Sequence, residues 1–136
     1  MVKGISFLLS LTAAFSLGAA TVVSAQKYSD STQREEKHRA DLSAADDMEV
    51  IVSVAEYQPG EMIRRHFHHG LEAAYVINGA EVTAPGKGAF TLPTGKTVLN
   101  LREAVHGGLT VSGDNSLSLF TVHIVDKKAP LYDYVD

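Results

Sequence analysis

The chain of 136 residues contains no cysteine and no tryptophan. Without cysteine there is no disulfide framework, no thiolate-held zinc, no thiol nucleophile and no residue for a lipid anchor of the lipoprotein type. Basic side chains are few, 12 against 16 acidic ones, for a net charge of −4. A nucleic-acid surface needs a concentrated basic patch, so no nucleic-acid partner is expected. No Ser/His/Asp nucleophile motif and no phosphate-cradling glycine loop is visible. Helical periodicity of useful length is missing as well. What remains is an apolar content of 45%, ordinary for a globular chain, at a length that fits one domain.

The single long hydrophobic run lies at the N-terminus. Lys3 precedes the run from Ile5 to Phe15, and small residues lead to Val23-Ser24-Ala25 before Gln26. That is the layout of a secretory signal peptide, expected over residues 1–25. Ser6, Ser10, Thr12, Ser16 and Gly18 interrupt the run and make a permanent membrane anchor the weaker reading. The expected product is exported, periplasmic or secreted, and not membrane-bound after cleavage. Lacking disulfides, it must be held by its core or by a metal. Residues 26–47 are dense in charge and nearly free of aliphatic side chains. Thr32-x-x-Glu35 could cap a short polar helix, but such a helix would have nothing to bury. The expectation is a flexible polar leader, with His38 solvated inside it.

From Met48 the pattern changes to short apolar or alternating segments separated by Gly, Pro, Asn and Asp. Strands are expected at Met48–Tyr57, Glu61–His68, Glu72–Asn78, Ala80–Thr83, Gly88–Leu92, Thr97–Leu101, Val105–Val111 and Leu117–Val125. Short strands at this spacing point to an all-β sandwich or barrel as a single domain over 48–128, followed by a tail over 129–136. Tyr132 and Tyr134 in that tail could cover an edge strand.

The chemistry concentrates in GEMIRRHFHHGLEAAYVING, residues 60–79. His66 and His68, two apart in a strand, project from one face, with Phe67 on the other. Glu72 follows a tight turn at His69-Gly70. Two imidazoles and one carboxylate form the donor set used for non-haem iron and similar divalent metals. His69 should point away from the pair.

These residues resemble the first signature motif of the cupin superfamily: Gly, five residues, His-x-His, three or four residues, Glu, six residues, Gly. Gly60, His66, His68, Glu72 and Gly79 all fall on it. The resemblance covers about Met48 to Val125 and implies a cupin-type double-stranded β-helix, or jelly-roll barrel, with one divalent metal ion (iron, manganese, nickel, copper or zinc) near its centre. In the second motif, Pro93-Thr94-Gly95 is present, but Val98 stands where the histidine belongs. His106, displaced by an insertion after that turn, is the preferred replacement ligand, and His123 is its competitor. The metal set is therefore read as His66, His68, Glu72 and His106, with Glu72 also a candidate catalytic base. The resemblance implies a metal-dependent oxidoreductase of dioxygenase type on a small oxygen-bearing molecule, or else an isomerase or a non-catalytic binding or sensing protein. A homodimer is expected from the need to cover edge strands.

Overall fold

The computed structural model describes residues 33–136; the expected signal peptide at 1–25 lies outside them. Eleven strands follow one another without a helix among the described residues: β1 (Glu35–Asp41), β2 (Met48–Tyr57), β3 (Met62–Ile63), β4 (His66–Phe67), β5 (Gly70–Asn78), β6 (Ala80–Ala84), β7 (Lys87–Leu92), β8 (Thr97–Asn100), β9 (Leu109–Val111), β10 (Leu117–Asp126) and β11 (Asp133–Tyr134). A five-stranded sheet ordered β1-β2-β10-β5-β8 faces a four-stranded sheet ordered β3-β9-β6-β7, and β11 pairs with β4. All pairings are antiparallel. The expected all-β barrel is the architecture found.

Alternation decides what each sheet turns inward. On the large sheet the register aligns inward residues into rows across the strands. One row is Ile51, His123, Glu72 and Asn100; the next is Ser53, Thr121, Ala74 and Val98; the third is Ala55, Leu119 and Val76. The third row joins the apolar core of Tyr57, Ile63, Ala80, Val82, Val111 and Leu117 between the sheets. The interior is thus apolar in one half and polar in the other.

Three expectations need correction. The segment read as a flexible leader contains β1, which pairs with β2 from Glu35↔Val54 to Asp41↔Glu49 with a bulge between Glu36 and His38. Glu35, read as part of a capping box with Thr32, opens a strand and not the first turn of a helix. An edge strand is held by backbone hydrogen bonds and needs no apolar stripe, and its exposed charges discourage further strand addition. His38 is exposed, as expected. The tail also belongs to the barrel: β11 pairs Asp133↔Phe67 and Tyr134↔His66, and Val135 N–H donates to the Arg65 carbonyl at 3.1 Å. Of the strand expected over Val105–Val111, only Leu109–Val111 is extended.

Gly79, the last glycine of the motif, has a packing reason. A Cβ there would lie 2.4 Å from the Leu92 carbonyl oxygen and 2.6 Å from the Thr94 nitrogen. The first belongs to the last residue of β7 and the second to the turn after it, and neither can move without disturbing the β6–β7 pairing. Gly79→Ala is expected to cost about 1–3 kcal/mol, the range for forced overpacking, read as a lowered urea midpoint at unchanged slope. An unchanged midpoint would show that the turn yields freely.

Candidate metal centre

Four of the expected residues come together. One ligand atom each of His66, His68, Glu72 and His106 lies within 4.8 Å of the others. His66 and His68 arrive from β4 and the turn after it. Glu72 arrives from β5, and His106 from the loop before β9. A local bridge fixes His106: its N–H donates to the His66 carbonyl at 2.9 Å, and the reverse bond is 3.0 Å. The next residue, Gly107, turns the chain at φ 81°, and a Cβ there would meet the Arg64 carbonyl at 2.4 Å.

The orientation of each imidazole is set from behind. His66 Nδ1 donates to the Arg64 carbonyl at 2.7 Å, and His106 Nδ1 to the Ala104 carbonyl at 2.8 Å. His68 Nδ1 donates to the Leu131 carbonyl in the tail. A carbonyl can only accept, so each Nδ1 carries a proton, and each ring when neutral presents a bare Nε2 to the centre. Tyr132, buried, packs its ring edge-on against His66 and His68 with centroids 4.8 and 5.0 Å away.

Glu72 occupies the middle. Its Oε2 lies 3.5 Å from His68 Nε2 and 3.2 Å from His106 Nε2, and accepts from Asn100 Nδ2 at 2.7 Å. Oε1 lies 3.4 Å from His123 Nε2. Although close to the carboxylate, the buried Nε2 atoms of His68 and His106 and both ring nitrogens of His123 make no hydrogen bond among the described residues. Burial alone would raise the Glu72 carboxyl, but the imidazoles of His106, His123 and His68 outweigh it and hold the group well below the usual range. Burial pushes His66 down to about 3 and lowers His123. For His106 burial acts downward too, but Glu72 outweighs it and raises that imidazole.

Buried ring nitrogens with fixed tautomers, aimed at one carboxylate without hydrogen bonds, fit a cation better than they fit one another. Three imidazoles and a carboxylate suit iron, copper, nickel or zinc. His123 is fully buried and touches Glu72 from the opposite side, so alternation turns it inward. It differs from His106 in two ways: no carbonyl sets its tautomer, and it stands outside the tight group of four.

Val98 faces the cavity one row from Glu72, whereas the residue level with Glu72 on β8 is Asn100. Asn100 was not singled out from the sequence, although alternation within Thr97–Leu101 places it inward. Nor was Arg34, whose guanidinium donates to Thr121 Oγ1 at 3.4 Å and lies over the Tyr132 ring at 4.9 Å. His69 turns away from the centre to Asp133 Oδ2 at 2.6 Å. Arg102 is tied to Asp126 by two bonds of 2.9 and 2.7 Å.

Solved structures share this architecture. A double-stranded β-helix protein from Klebsiella pneumoniae is 20% identical over 76% of this chain and 84% of its own, with TM-score 0.55. A cupin-like protein from Thermotoga maritima is 19% identical over 75% and 74%, with TM-score 0.52. The fold is that of the cupins. The polyketide cyclase RemF from Streptomyces resistomycificus is 17% identical over 74% of this chain and 75% of its own, with TM-score 0.50. No family model and no curated protein matches the chain.

The tail supplies the carbonyl that orients His68 and the ring that backs two of the histidines. Removing residues 131–136 is expected to weaken zinc or iron binding about 10- to 100-fold, the usual effect of losing such supporting partners, as read by competition with a chromophoric chelator. Equal affinity would show that His68 is held by β4 and its turn alone.

Proposed function

We propose that this cupin-fold protein is an exported metal-dependent enzyme, an oxidoreductase of dioxygenase type acting on a small oxygen-bearing molecule. One observation carries the reading: buried imidazole nitrogens without hydrogen bonds converge on one ionised carboxylate beside a cavity. The cavity measures about 150 Å³ and is lined by His66, Glu72, His106 and mostly apolar side chains. His66, His68, Glu72 and His106 would hold the ion. When bound, a divalent cation supplies Lewis-acid polarisation of a substrate oxygen and, if redox-active, access to O₂ chemistry.

The chain's own groups do the rest. Val76, Leu117 and Leu119 exclude water from the substrate's body. Asn100 orients Glu72 by its hydrogen bond. Glu72, the candidate base, is kept ionised and surrounded, so its first task is to hold the ion. Any substrate proton would go to Oε1, the oxygen that Asn100 does not bind. The shared fold with a polyketide cyclase supports an enzyme; the largely apolar cavity equally suits an isomerase or a non-catalytic binding protein, the alternative reading.

The test begins with protein purified without chelators from the exported fraction, its N-terminus sequenced and its metal counted. The expected result is a chain beginning at Gln26 with one equivalent of iron, manganese, nickel or copper, and O₂ uptake with enol or catechol substrates. His68→Ala and His106→Ala should each lose the metal, while His123→Ala should keep it with weaker affinity. One equivalent of zinc without O₂ uptake would favour the isomerase; no metal under any loading would leave the binding protein.

A homodimer is proposed on the outer face of the large sheet. Tyr75, Phe120 and Val54 align across three strands, and Leu99 lies beside them with 61% of its surface exposed. Contiguous apolar side chains of this kind mark interaction surfaces. Leu99→Asp is expected to shift elution on gel filtration from dimer to monomer, and a wild-type monomer would end the idea.

A further inference from the structure

Along β1 the cations face outward. Lys37 pairs with Glu35, and Arg39 with Glu36 and Glu49. Arg34, just before the strand, does the opposite. Its side chain turns into the barrel, reaches Thr121 in the row next to Glu72, and lies over the same Tyr132 ring that backs His66 and His68. It lines the cavity that Glu72, His66 and His106 also line.

Turning a guanidinium inward costs hydration that the three-residue-distant surface position of Lys37 retains. Inside the cavity wall, Arg34 and the Glu72 carboxylate carry opposite charges. A divalent ion on Glu72 would then leave the cavity strongly positive, a condition that an anionic ligand relieves. Guanidinium is the side chain whose planar fork matches a carboxylate. The cavity of about 150 Å³ has room for one molecule near the size of benzene, and its remaining wall is mostly apolar.

We propose that the cavity binds a small monocarboxylate with a compact apolar body, its acid group paired with Arg34. Arg34 is a specificity-determining residue in this assignment: it selects the acid over neutral molecules of the same shape. The inference rests on the metal-centre reading for where the ligand's other end lies, and its test separates the two.

The probes are benzoate and butyrate against benzamide and butyramide, titrated into zinc-loaded and chelator-treated protein and followed by calorimetry or ligand-observed NMR. Wild type should bind each acid at least about 10-fold more tightly than its amide. Arg34→Gln should lower acid affinity about 10- to 100-fold, as expected for a charged hydrogen bond, with amide affinity and metal content unchanged. Arg34→Lys should recover part of the loss. Acids bound no better than amides, a preference that survives Arg34→Gln, or no binding of any probe would each overturn the proposal. Should Arg34→Gln fail to fold, the acid-over-amide ratio in wild type and Arg34→Lys still decides it. A protein that takes up no metal but loses its acid preference on Arg34→Gln would sink the metal reading and leave this one standing. One equivalent of metal with a preference indifferent to Arg34 would do the reverse.

Discussion

A carboxylate buried among four imidazoles is the constraint on which the barrel is organised. Taking Glu72 out of water is costly, and only polar groups that stay in place can offset that cost. Asn100 supplies one such group by a direct hydrogen bond. A cation held between the carboxylate and the bare Nε2 atoms would supply the rest, provided that the rings of His66, His68 and His106 cannot turn. Three backbone carbonyls prevent it, drawn from Arg64, Ala104 and Leu131. Those carbonyls lie in three separate stretches of chain, so the centre exists only when all three are folded. A buried ring nitrogen left without a hydrogen bond carries a penalty of about 1–3 kcal/mol. A bound cation would remove several such penalties at once, which couples metal affinity to the stability of a chain that has no disulfide to fall back on.

Much of this is legible in the sequence. The spacing of His66, His68 and Glu72 follows from period-2 alternation and one tight turn, and β2 begins and ends where alternation places it. What local pattern could not supply was partnership across the sheet. Whether His123 faced inward depended on which side of β10 lay against the second sheet, and Val122 and Ile124 are apolar enough to have served either side. The register with Glu72 settles that face. The polar stretch before Met48 misled for a physical reason: β1 is held by backbone bonds to β2, and backbone pairing leaves no hydrophobic signature. Tyr132 was read as an edge cover, but it lies just before β11, buried against the histidine rings, and that contact had no signal in the tail's own sequence.

The rows across the large sheet explain why polar and apolar chemistry can share so small an interior. Antiparallel pairing places Glu72, His123 and Asn100 on one level and Val76, Leu119 and Ala55 two residues further along. Between them runs the level of Ser53, Thr121, Ala74 and Val98, neither charged nor bulky, and this is the level that Arg34 reaches. A histidine in place of Val98 would sit on that intermediate level and bring a fifth imidazole into the barrel. With valine there, the candidate donors stay on the Glu72 level and in the His106 loop, and the wall beside Arg34 remains apolar. The displaced histidine and the valine are therefore one arrangement: with the histidine in the loop, β8 gives Val98 to the cavity wall, while Asn100, one level along, binds the carboxylate. The departure from the usual motif reshapes the ligand pocket while keeping four donors around one point.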